Sequence, residues 1–119
     1  MTDTEKRKVL NALYSYHTYI NILRTSTADG ATIIYAERAR FIKMNRAEME
    51  KSIKVAEGTY KYFEIQDEAK ARFIKKFFFN HGSWVSTELE IGLSHGTVKN
   101  WRNEVIKIAA KIARRAKLI

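Results

Sequence analysis

Apolar residues recur at spacings of three and four along most of this chain, the mark of helices that bury one face. Val9, Leu13, Tyr16, Ile20 and Leu23 keep that rhythm and predict a first long helix packed along its length. Thr2 with Glu5 has the spacing of a capping box near its start. The run Thr25-Ser26-Thr27-Ala28-Asp29-Gly30 is the clearest loop signal. A second long helix is predicted from about Thr32, with Ile34, Phe41, Ile42, Met49, Ile53 and Ala56 on its buried side and Gly58 and Thr59 at its end.

The texture changes in the second half. Phe73, Ile74, Phe77 and Phe78 form a tight apolar cluster on a helix predicted over 67–79, with Phe79 expected nearer the surface. Asn80-His81-Gly82-Ser83 reads as a turn. A short helix is expected over 86–91, where Thr87 and Glu90 have capping-box spacing. From Ser94 a last helix runs toward the C-terminus on the rhythm of Val98, Trp101, Val105, Ile108 and Ile112. The fold class is therefore all-α: an N-terminal region of long helices (1–66), for packing or oligomerisation, and a C-terminal helix-turn-helix region (67–119).

Charge changes the picture more than overall composition does. The 119 residues include 22 Lys+Arg against 13 Asp+Glu, a formal net charge of +9. Residues 1–67 hold 11 basic and 9 acidic side chains, whereas residues 68–119 hold 11 basic and 4 acidic. The surplus sits in the C-terminal half and points to a polyanionic partner or an anionic membrane surface. With no cysteine there is no disulfide framework, thiol nucleophile or Cys-ligated zinc, and a reducing cytoplasm is expected. With no proline, helix breaks fall largely to five glycines. The longest uncharged stretch, Val9 to Leu23, is too short and polar to span a bilayer, and no signal-peptide pattern is expected.

The informative segment runs from Trp84 to Arg102. A short helix, a turn at Gly92, an apolar Leu93 at the corner and a Ser94 N-cap opening a second helix make a helix-turn-helix. Val98 and Trp101 lie on the inner face of that second helix. His95, Gly96, Lys99, Asn100 and Asn103 then face outward near its N-terminus, the end that enters a major groove. Asn and Lys suit adenine and guanine edges, and a glycine lets the backbone approach closely. Ser94, Thr97, Arg102, Lys107 and Lys111 are assigned to phosphates, which set register rather than sequence choice.

The pattern Leu93-Ser94-x-x-Thr97-Val98-x-x-Trp101-Arg102-x-x-Val105, followed by Ile108-Ala109-x-x-Ile112-Ala113, resembles the C-terminal region of phage late-transcription activators of the ArpU/RinA type. Those in turn resemble the part of bacterial sigma factors that reads the −35 promoter element. The resemblance covers roughly 67–117 and implies phage origin, promoter binding and a contact to host RNA polymerase. One departure stands out: such motifs carry a small residue where the first helix crosses the second, and register from Gly92 puts Glu88 there. Either the first helix is offset by one residue, with Leu89 facing inward, or the crossing is wide.

Other readings compete. The tail Lys107, Lys111, Arg114, Arg115 and Lys117, with Ile108, Ile112 and Leu118 among them, also describes a membrane-surface helix; no membrane partner is expected, because that apolar side has a use as core. Trp84 and Trp101 at helical spacing read as core before base-stacking platforms, and Tyr14, Tyr16, Tyr19, Tyr60 and Tyr62 as helix–helix contacts. His17, His81 and His95 are scattered without ligand spacing, so neither a metal nor a cofactor is expected. Glu48 and Glu50 read as a surface pair, the five glycines form no phosphate loop, and no enzyme is expected. The leading function is a sequence-specific double-stranded DNA-binding regulator of transcription, an activator of late phage genes in the host cytoplasm. The alternatives are a small terminase-like DNA-recognition subunit for packaging and a non-DNA helical adaptor. A homodimer is expected from the apolar length of the N-terminal helices.

Overall fold

The computed structural model describes residues 1–25, 34–35, 43–44 and 46–119. Apart from one short antiparallel pairing of β1 (Ile34–Tyr35) with β2 (Lys43–Met44), the elements among the described residues are helical. From Ser26 onward the expected loop lies outside those residues, as do Thr32, Phe41 and Ile42.

The first predicted helix is two, α1 (Asp3–Tyr14) and α2 (Tyr16–Thr25), jointed at Ser15. Backbone bonds bridge the joint, since Ser15 N–H donates to Asn11 and Tyr19 N–H to Ser15, each at 2.9 Å. The capping box is formed: Thr2 accepts the Glu5 N–H and Glu5 accepts the Thr2 N–H. Those bonds to Thr2, with Arg114 nearby, hold the Glu5 carboxyl below its ordinary range. Tyr19 is fully buried, which pushes its phenol up, while Asn11 donates to its oxygen.

The second long helix corrects the sequence reading at both ends. It is α3 (Arg46–Gln66), so Ile34 belongs to the short pairing and Gly58 and Thr59 lie inside the helix. The helix continues through both because its neighbours accept them. A side chain at Gly58 would meet Ile112 of the last helix at 3.4 Å, so the absent Cβ allows close packing. The buried Thr59 hydroxyl donates to the Val55 carbonyl at 2.7 Å and is satisfied within its own helix.

Asp67 caps α4 (Glu68–Phe73) by accepting the Ala69 N–H at 3.1 Å. The predicted single helix over 67–79 then widens into a π-helical turn, Ile74–Phe79. The widened turn buries Phe77, Phe78 and Phe79 in succession, three neighbours that one face of an ordinary helix does not accommodate. Phe79, expected nearer the surface, is buried and packs against Tyr16 in a tilted pair with ring centroids 4.5 Å apart. Tyr62, expected in a contact, is 42% exposed.

One apolar core joins both halves of the chain: Val9 and Leu13, Val55 and Phe63, Phe73, Ile74 and Phe77 to Phe79, and Val98, Val105 and Ala109 belong to the same cluster. The Asn80–Ser83 turn is held tightly beneath it. Gly82 N–H donates to the Lys76 carbonyl at 2.8 Å, and a Cβ on Gly82 would stand 2.7 Å from that same oxygen. Gly82→Ala is therefore expected to destabilise the protein by about 1–3 kcal/mol. A chemical-denaturation midpoint equal to that of the parent chain would contradict this close approach.

Candidate nucleic-acid interface

Two helices and a tight turn follow. Ser83 caps α5 (Trp84–Ile91) by accepting the Ser86 N–H at 3.0 Å. The helix thus starts two residues before the expected Ser86, and Thr87 is a buried interior residue rather than a cap. Gly92 ends it in the left-handed conformation, φ 76°, where a side chain is strained. Ser94 caps α6 (His95–Arg115), its hydroxyl accepting the Thr97 N–H at 3.3 Å, as the sequence predicts.

Of the two expected resolutions at Glu88, the inward turn of Leu89 is not found. Leu89 is 80% exposed; the small residue facing inward is Thr87, whose hydroxyl donates to the Ser83 carbonyl at 2.7 Å. Glu88 points across the turn instead, where its carboxylate accepts a hydrogen bond from Nδ1 of His95 at 2.8 Å. The His95 ring also lies against Trp84, with centroids 5.0 Å apart. Two residues of α5 therefore orient His95 and leave its Nε2 directed away from the carboxylate. Sequence spacing does not flag this trio, although the misfit at Glu88 is its one visible trace.

The five candidate base-reading residues, His95, Gly96, Lys99, Asn100 and Asn103, are all exposed. Their spacing confines them to an arc of about 140° around α6. Behind them Val98 is fully buried and Trp101 half-buried, the indole meeting Phe73 edge-on at 5.9 Å and carrying Lys70 over its face at 5.6 Å. Leu93 packs against the core at the corner. A Cβ on Gly96 would meet nothing within 4 Å, so nothing in the protein's own packing requires glycine there.

Among the candidate phosphate residues, Lys107 and Lys111 are exposed and Arg102 is half-buried. Ser94 and Thr97 are engaged with each other, their hydroxyl oxygens 2.9 Å apart. What this helix end presents to an anion is therefore chiefly its backbone, because first-turn N–H groups such as those of His95 and Gly96 have no intrahelical acceptor.

The acidic residues nearby are occupied. Glu104 bonds Lys70 at 2.8 Å and Glu90 bonds Lys76 at 2.7 Å, pinning α6 to α4 and α5 to the π-helical turn. Glu88 takes His95, so three of the four carboxylates in 68–119 have partners. Among the described residues Lys99, Arg102, Lys107 and Lys111 have no ion-pair partner. The outer face of α6 thus carries uncompensated positive charge beside neutral hydrogen-bonding groups.

No metal-binding cluster of His, Asp or Glu occurs among the described residues, and none of their helices is long and apolar enough to cross a membrane. Compared with known proteins, the chain matches no family model, no curated protein and no solved structure.

Proposed function

We propose that the protein is a sequence-specific double-stranded DNA-binding regulator of transcription, with α5, the Gly92–Ser94 turn and α6 acting as a helix-turn-helix. The observation that carries this reading is the outer face at the start of α6. Lys99, Asn100 and Asn103 stand exposed beside an unfilled glycine, on a helix whose opposite face is anchored by Val98 and Trp101. Lys reads guanine and Asn reads adenine in the major groove, and the unpaired cations farther along supply sequence-independent affinity. The sequence resemblance to ArpU/RinA-type activators makes promoter activation of late phage genes, with contact to host polymerase in the cytoplasm, the specific role within this class. Residues Val9, Leu13 and Phe63 are packed inside the chain, so a second copy would join through other surface, such as the exposed Val85 and Leu89 of α5.

Selection from a random duplex library at physiological salt tests the reading. An enriched sequence bound at least ~10³-fold tighter than random duplex is expected for a specific regulator. Binding without enrichment would instead favour a packaging or architectural role, and no duplex affinity would favour the helical adaptor.

Gly96 supplies a second test. Gly96→Ala is expected to leave folding stability unchanged or raise it by up to ~1 kcal/mol, since alanine is the better helix former and meets open space. The same change is expected to weaken the selected duplex by about 1–3 kcal/mol if DNA is packed against the Gly96 backbone. Unchanged affinity in a fluorescence-anisotropy titration would remove Gly96 from the interface.

A further inference from the structure

The basic face of α6 does not end where the base-reading residues do. Beyond Asn103 the helix carries Lys107, Lys111 and Arg114, spaced four and three residues apart and all exposed. Here α1 lies alongside, and together they wall a groove of about 440 Å³ floored by Ile106 and Ala110 and bordered on the α1 side by Lys6. Lys6, Lys107 and Lys111 have no ion-pair partner among the described residues, and Arg114 reaches Glu5 only at 4.0 Å. Four cations from the two ends of the chain thus converge on one concave strip. From Asn103 to Arg114 the strip extends about 16 Å along α6, room for several successive phosphates.

We propose that this groove binds a run of duplex DNA backbone phosphates beyond the bases read by α6, making Lys6 of the N-terminal helix part of the DNA interface. The inference rests on the DNA-binding reading above and adds a partner surface to it. Three physical features support it. Lys107, Lys111 and Arg114 are exposed on α6 as Lys99 and Asn103 are, so exposed polar and basic side chains continue from the base-reading residues into the groove. Long ammonium side chains over an apolar floor keep their charges at the rim, where a backbone would lie. Holding the unpaired Lys6, Lys107 and Lys111 around one groove costs repulsion that a polyanion relieves.

The test uses the full chain, the duplex selected above and a random duplex, titrated by anisotropy across a series of NaCl concentrations. Lys6→Gln and Lys111→Gln are each expected to reduce the salt slope by about one and to weaken both duplexes by the same factor. Hydroxyl-radical protection is expected to fade at backbone positions flanking the base-read site, and only there. Lys54→Gln, an exposed α3 change that lowers net charge equally, is expected to do neither. If Lys6→Gln behaves like Lys54→Gln while Lys99→Ala still loses the selected duplex, the groove is not on DNA and the base-reading assignment stands. If the parent chain binds neither duplex, both readings fall.

Discussion

Replacing Phe78 with alanine is expected to destabilise the protein by about 3–5 kcal/mol, the range for truncating a buried aromatic ring. Phe78 has no exposed surface and sits where the N-terminal helices meet the rest of the chain. Its ring approaches Tyr14 at 5.1 Å, Phe77 at 5.0 Å and Phe73 at 6.0 Å. Those neighbours are themselves fixed, Phe77 by Trp84 at 5.3 Å and Phe73 by Trp101, so the site cannot collapse to fill the void. For a small domain with a total stability of about 5–15 kcal/mol, a loss of this size approaches global unfolding. Urea denaturation reads the shift, and Phe78→Leu, a smaller truncation, keeps the comparison measurable if the alanine variant does not fold. Tyr62→Ala, at a residue 42% exposed, is expected to cost far less. Equal losses at the two positions would mean that the aromatic cluster does not join the halves as described.

The second large effect is on recognition. Lys99→Ala and Asn100→Ala are each expected to cost about 1–3 kcal/mol on the selected duplex, by loss of bonds to a guanine and an adenine edge. Acting on different base pairs, the two together are expected to cost about 2–6 kcal/mol, roughly a 30-fold to 10⁴-fold loss of affinity. Both side chains are exposed and neither takes part in the core, so thermal unfolding of the double variant is expected to match the parent chain. Affinity for random duplex is expected to change only modestly, through the one charge removed with Lys99. A loss of the same size on both duplexes would make these residues phosphate contacts and move base reading elsewhere.

Much of the candidate interface is legible in the sequence because it lies on a single helix. Periodicity alone separates Val98 and Trp101 from Lys99, Asn100 and Asn103, and Ser94 declares the start. The capping box at Thr2 and Glu5 is readable for the same reason: every partner is within four residues. What periodicity misreads are positions where a neighbour overrides a local rule. Gly58 looks like a stop but is a packing surface for Ile112. Phe79 falls off the predicted face, and the π-helical turn brings it back to Tyr16. Glu88 looks misplaced at a helix crossing until it is seen to hold His95.

Reading the residues in order was enough for the all-helical class, the caps at Thr2 and Ser94, the turn at Gly92, the outward face at the start of α6 and the concentration of positive charge in the second half. These follow from local geometry and from counting. Three features came from the folded chain alone: α3 runs through Gly58, Glu88 and Trp84 of α5 set the orientation of His95, and Lys6 lines one groove with Lys111 and Arg114. The reason is distance along the chain. Contacts within one helical turn are written into neighbouring residues, whereas the approach of α1 to α6 is fixed by a shared apolar core that no local pattern records.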